Sequence, residues 1–159
     1  MSIICNIKQL ESQSLSFKGL ITAKELDLEN IDICVHLNTP VEHNFIAKKA
    51  SNTIRLLGRL RFELDCECVH CLKPFKIVMD WADWECIVPL QGEMLSPIIN
   101  DCVDLTPYVR EDILLAFPQH PLCEPGCNKL PFEEGKDPRA DLEKKALDSV
   151  WDQLDKLNL

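Results

Sequence analysis

The 159-residue chain has only five glycines, and none of them completes a phosphate-cradling P-loop or a Rossmann dinucleotide turn. It also lacks a G-x-S-x-G nucleophile elbow, an H-E-x-x-H zinc helix and the H-x-E that accompanies P-C-x-x-C in zinc deaminases. Four histidines (His36, His43, His70 and His120) fall in different predicted elements, without an evident serine or carboxylate companion. No catalytic residue is therefore assigned, and the chain is expected not to be an enzyme. Basic charge is scarce too: 17 Lys+Arg stand against 26 Asp+Glu, a net charge of −9. No stretch is strongly basic, so the electrostatic footprint of a protein that holds a phosphate backbone is missing. That argues against direct, tight RNA or DNA binding and fits a basic protein partner. The N-terminal residues have no basic n-region, long apolar h-region or small-residue cleavage site. The longest apolar runs, such as Ile113–Phe117, are far too short to span a membrane. The expectation is a soluble, cytoplasmic protein.

What the chain does have is apolar residues (46%), enough for a normal core, and nine cysteines. Their fraction is below that of a disulfide-dense secreted scaffold, and their number is odd. In the absence of a secretion signal they are best read as reduced thiols serving burial, metal binding or redox chemistry.

The first hundred residues read as strands. Ile31, Ile33, Val35 and Leu37 alternate with polar neighbours up to a turn at Asn38-Thr39-Pro40. From Arg59 to Glu67 the alternation is strict, with Leu60, Phe62, Leu64 and Cys66 on one face and charged residues on the other, the pattern of an antiparallel sheet with one wet face. Phe75, Ile77, Met79 and Trp81 share one parity, whereas Trp84, Cys86, Val88 and Leu90 take the other, so a β-bulge or bend is predicted near Asp83. Beyond residue 100 the period becomes helical. Thr106 is read as an N-cap before Pro107, with Val109, Ile113, Ala116 and Phe117 on the apolar face and Pro118 as the stop. A Pro/Gly-containing loop comes next, and Asp137-Pro138 opens a second helix with Leu147, Val150, Trp151 and Leu154 on its stripe. The fold class is α+β: an antiparallel sheet, open or barrel-like, with two C-terminal helices. A single domain, 1–159, is expected, strand-rich over 1–100, with a helix and Cys loop over 101–136 and a C-terminal helix over 137–159.

Cys68-Val-His-Cys71 sits where the alternating strand runs into its turn, and Cys123-Glu-Pro-Gly-Cys127 sits in the loop after the first helix. Together the two close pairs could supply four thiolates to one tetrahedral zinc. Glu67 and Glu124 oppose thiolate formation, while Lys73 and Lys129 partly offset them. The competing reading is of unligated thiols, and His70 and His120 are spare candidate ligands. Cys66 and Cys86 read as small core hydrophobes by parity, whereas Cys5, Cys34 and Cys102 have no partner spacing. A thiol oxidoreductase using Cys68 and Cys71 is a weaker alternative, because the pair ends a strand instead of opening a helix.

The run Cys68-Val-His-Cys71-Leu-Lys-Pro-Phe75 resembles the YceD-type family of large ribosomal RNA accumulation proteins, found in bacteria and plastids. Three further segments fit in order: Asp104-Leu105 with the acidic helix Val109–Pro118, the loop Pro121–Cys127, and Asp137-Pro138-Arg139 with Val150–Leu157. The chain departs from the family in running on with Asn128-Lys129-Leu130-Pro131 after Cys127 and in separating the D-P-R and Trp parts. The resemblance covers roughly residues 50–157. It implies a non-catalytic role in accumulation of large-subunit (23S) ribosomal RNA and assembly of that subunit. In many bacteria the family's gene lies beside that of a small basic large-subunit ribosomal protein. The implied partner is such a protein or a pre-ribosomal particle, contacted through protein surfaces. Candidate partner-binding residues are the acidic Glu111, Asp112, Glu133 and Glu134. A zinc-stabilised interaction adaptor unrelated to ribosomes is the alternative from another class.

Overall fold

A computed structural model describes residues 2–125 and 127, all within one compact unit, residues 1–128. The expected C-terminal helix 137–159 lies outside the described residues. Among the described residues eight strands and two helices occur in order: β1 Ile4–Asn6, α1 Ile7–Ser12, β2 Leu15–Ile21, β3 Val35–His36, β4 Val41–Ala50, β5 Thr53–Glu67, β6 Pro74–Pro89, β7 Ile98–Ile99, β8 Cys102–Asp104 and α2 Thr106–Leu115. Every strand pair is antiparallel. In the main sheet β5 is central. One of its edges carries β4 and then β3 end to end, with β2 beyond β4, and the other edge carries β6. The sheet curls like half a barrel but does not close, since β2 and β6 do not pair with each other. A second small sheet has the order β1-β8-β7.

β5 behaves as its alternation requires. Ile54, Leu56, Leu60, Phe62, Leu64 and Cys66 are buried, and Arg55, Arg59, Arg61 and Glu67 are exposed. On the wet face Arg55 pairs with Glu85, Arg59 with Asp80, and Lys76 with Glu63 at 2.7 Å. Exposed pairs of this kind contribute at most about 1 kcal/mol each, against roughly 1.5–3 kcal/mol for each large apolar side chain taken from water. The apolar face therefore dominates the pairing energy. The parity switch in β6 is a bulge. Gly58 faces Trp84 and Leu60 faces Trp81, leaving Arg59 opposite the two exposed residues Ala82 and Asp83.

The bulge lies beside a close approach of strands at Gly58. Gly58 pairs with Phe45 on one side and Trp84 on the other, and those two rings meet edge-on with centroids 5.2 Å apart. A Cβ at position 58 would come within 2.3 Å of the Asn44 carbonyl oxygen and 2.4 Å of the Phe45 Cα. Only glycine lets the strands close to this separation, and the two aromatic rings supply the burial that glycine cannot.

Two expectations are corrected. The segment around Ile31 and Ile33 is not a strand, and Ile33 is 93% exposed. The Asp32 carboxylate accepts the N–H groups of Cys34 (2.7 Å) and Val35 (3.1 Å), folding the chain into a turn, so only Val35–His36 pair. Thr106 is not the cap of α2 but its first residue. The Asp104 carboxylate accepts the Thr106 N–H at 2.9 Å, and the Thr106 hydroxyl instead accepts the Ile3 N–H at 2.8 Å. One described helix was not expected from the sequence. It is the short α1, capped by the Asn6 side chain accepting the Gln9 N–H. Among the described residues no helix is long and apolar enough to cross a membrane.

Replacing Gly58 with alanine should destabilise the protein by about 3 kcal/mol, because backbone must move to admit the methyl group. Gly92→Ala, whose Cβ meets open space despite a φ of +101°, should cost less. Urea midpoints of the two variants check this, and a Gly58→Ala loss no larger than that of Gly92→Ala would contradict it.

Candidate metal centre

β5 delivers Cys68 to the end of the sheet, and the turn to β6 closes immediately behind it. The Cys68 N–H donates to the Lys73 carbonyl at 3.0 Å and the Leu72 N–H to the Cys68 carbonyl at 2.9 Å. Leu72 has a φ of +60°, the left-handed residue that turns the chain back into β6. The second pair arrives from the loop after α2. The Val69 N–H donates to the Pro121 carbonyl at 3.0 Å, joining that loop to the hairpin turn. The Cys127 N–H donates to the Glu124 carbonyl at 3.1 Å, a tight turn that brings Cys127 back beside Cys123.

The result is a cluster of four sulfur atoms, from Cys68, Cys71, Cys123 and Cys127, all within 4.8 Å of one another. The separations are 3.5 Å for Cys71–Cys123, 3.7 Å for Cys123–Cys127 and 3.8 Å for Cys68–Cys127. A disulfide would need about 2.05 Å, and all nine cysteines of the chain are free thiols. A tetrahedral ion with metal–sulfur bonds of about 2.3 Å has sulfur–sulfur edges of about 3.8 Å. The donor set fits such an ion in both number and spacing, and can hold a metal. Cys68 and Cys127 are buried, and Cys71 and Cys123 half-buried. Four protein ligands would leave no open position for water or substrate, which is the arrangement of a structural and not a catalytic metal site.

The electrostatics of the four thiols are unequal. Cys68 is brought down to about 6, chiefly by the Cys71 backbone N–H directed at its sulfur, with those of Cys123 and His70 adding to it. Cys123 is pushed up to about 12 because the Cys71 thiol beside it, its burial and the nearby Cys127 and Cys68 sulfurs all oppose a further negative charge. The donors directed at Cys68 favour its thiolate, and the sulfurs around Cys123 oppose a further negative charge there.

Other cysteines sit elsewhere. Cys66 lies in the core, and burial raises its thiol. Cys86 is half-buried against α2 and pushed up to about 12 by burial and by the Asp112 carboxylate. Cys5 is buried in the small sheet and raised to about 11 by burial and by Cys102. Cys34 and Cys102 are half-buried outside the cluster. Of the spare histidines, His120 is exposed and His70 half-buried with a buried Nδ1 that has no hydrogen-bond partner. Among the candidate partner residues, Glu111 is exposed, whereas Asp112 is half-buried and accepts the Trp84 Nε1–H at 2.7 Å, fastening α2 to β6. Glu133 and Glu134 lie outside the described residues. The Val69–Pro121 main-chain link and the Trp84–Asp112 bond had no signal in the spacing of residues, since both join segments distant in sequence.

Residues 56–158 match the profile of the family described as large ribosomal RNA subunit accumulation protein YceD. The match covers more than half of the chain and contains both cysteine pairs. No curated protein and no solved structure matches the chain.

A thiol-rich centre of this geometry should bind one Co²⁺ per chain, with the intense near-ultraviolet sulfur-to-cobalt charge-transfer band of thiolate ligation. Cys123→Ser should weaken that band and the affinity, and binding should weaken as pH falls, because the ligands must lose protons. Saturation without a sulfur charge-transfer band would contradict the site.

Proposed function

The chain belongs to the YceD family of large ribosomal RNA subunit accumulation proteins, and from that premise we propose that it is a non-catalytic factor supporting accumulation of 23S ribosomal RNA and assembly of the large subunit. It acts in the cytoplasm through protein contacts, with zinc in the four-cysteine centre as a structural ion. Family membership over residues 56–158 is the observation that carries the ribosomal part of this reading. The four converging sulfur atoms carry the zinc part, because a borderline-soft ion without geometric preference suits a tetrahedral thiolate set.

Charge supports contact with a protein in preference to bare RNA. A net charge of −9 repels a phosphate backbone and attracts a basic ribosomal protein or the basic protein surface of a precursor particle. Zinc held by four thiolates is itself a doubly negative centre, so metal loading sharpens this preference. The thiol oxidoreductase alternative draws less support. Cys68, its lowest-pKa thiol, is fully buried, and it is surrounded by three further thiols where a redox pair needs one accessible attacking sulfur.

Depletion of the protein in its own cells should lower mature large-subunit RNA relative to small-subunit RNA by about half or more. Re-expression of the natural chain should restore the ratio, and a Cys68→Ser/Cys123→Ser chain should restore it poorly. An unchanged ratio after confirmed depletion would contradict the assembly role.

A further inference from the structure

A groove of about 630 Å³ runs between α2 and the loop 91–97 that succeeds β6. The loop is pinned in place, because the buried Ser96 hydroxyl is hydrogen-bonded with the Tyr108 hydroxyl on α2. Three apolar side chains stand open along the groove: Ile87, Leu95 and Met94, the last 82% exposed. Its charged lining is of one sign. Glu93, Asp104, Glu111 and Asp112 contribute carboxylates, and among the described residues no lysine, arginine or histidine lines it. Asp104 and Asp112 are already engaged with the Thr106 N–H and the Trp84 indole. Glu93 and Glu111 are exposed and form no ion pair among the described residues.

We propose that this groove binds a segment of a partner protein in which apolar side chains are flanked by lysine or arginine. The inference rests on the reading of a basic protein partner and assigns that partner a surface. Its argument is charge complementarity around an apolar strip. A wholly apolar segment would strip water from the carboxylates without replacing it, and only cations beside the apolar side chains answer both features. Nucleic acid is disfavoured because its phosphates would meet Glu93 and Glu111. A second copy of this chain would bring the same acidic groove and another net charge of −9.

The test uses the full chain and a fluorescent peptide of alternating lysine and leucine, with a lysine–serine peptide of equal charge as comparison. Anisotropy should show tighter binding of the lysine–leucine peptide. Glu93→Lys/Glu111→Lys and Met94→Ser/Leu95→Ser should each weaken it about tenfold or more. The equally charge-reversing Glu29→Lys/Glu42→Lys, outside the groove, should change it less than twofold, with circular dichroism confirming that every variant folds. Equal weakening by both charge-reversal pairs, indifference to Met94→Ser/Leu95→Ser, or displacement of the peptide by a large-subunit RNA oligonucleotide would overturn the proposal. So would a dimer lost in the groove variants, which would assign the groove to a second copy. In depleted cells the Glu93→Lys/Glu111→Lys chain should fail to restore the RNA ratio that the natural chain restores. Full restoration by that variant would overturn the groove while leaving the assembly role intact. If depletion itself leaves the ratio unchanged, the assembly role falls and the peptide measurement alone decides the groove.

Discussion

Four sulfur atoms within 4.8 Å of one another pose an electrostatic problem that the local structure is arranged to meet. As thiols they make only weak hydrogen bonds, and as thiolates they repel one another. A divalent cation at their centre turns that repulsion into attraction. Cys71 and Cys123 are 52 residues apart in sequence, so closing the cluster joins the β5–β6 turn to the loop after α2. The Val69–Pro121 hydrogen bond fixes the same junction in the main chain. The loop is thereby tied to the end of the central strand, and the family profile spans both cysteine pairs.

The interior of the same strand shapes the sheet. Close approach at Gly58, with Phe45 and Trp84 closing over it, forces local twist, and the bulge at Ala82–Asp83 re-aims β6 directly afterwards. The re-aimed stretch carries Trp84 to Asp112 and Cys86 and Ile87 to the groove, so the sheet adds the Trp84–Asp112 hydrogen bond to the seat that α2 gains by burying Val109 and Ile113 in the core. The stretch of β6 beyond the bulge thus contributes Cys86, Ile87 and Pro89 to the lining of the acidic groove.

Much of this was legible in the sequence, and for identifiable reasons. Strict alternation over Leu60–Cys66 and the parity switch between Trp81 and Trp84 are direct consequences of the two-residue period of a strand, so β5, β6 and the bulge could be read without coordinates. The two cysteine pairs were legible as pairs because short-range spacing is a local property. Their convergence depended on topology, and spacing alone could not distinguish one four-thiol centre from separate thiols. The misreadings of the Ile31 segment and of Thr106 share one cause, local side-chain hydrogen bonds that compete with pattern. Asp32 turned an apparently alternating segment away from the sheet, and the Thr106 hydroxyl is taken up by the Ile3 N–H while Asp104 accepts the Thr106 N–H, which leaves Leu105 at the N-cap. The groove had no periodic signature at all, since the loop 91–97 and α2 meet only in three dimensions.

The proposed ribosomal role rests on family membership, the proposed preference for a basic protein over RNA rests on the net charge of −9, and the four-thiol centre joins the β5–β6 turn to the loop after α2. That centre is the claim on which the account stands most heavily. Zinc K-edge X-ray absorption on the natural chain, purified without added metal, measures it directly. The account predicts one zinc per chain with four sulfur neighbours at about 2.3 Å. A zinc shell of nitrogen and oxygen, or a chain that carries no metal while keeping its fold, would contradict it.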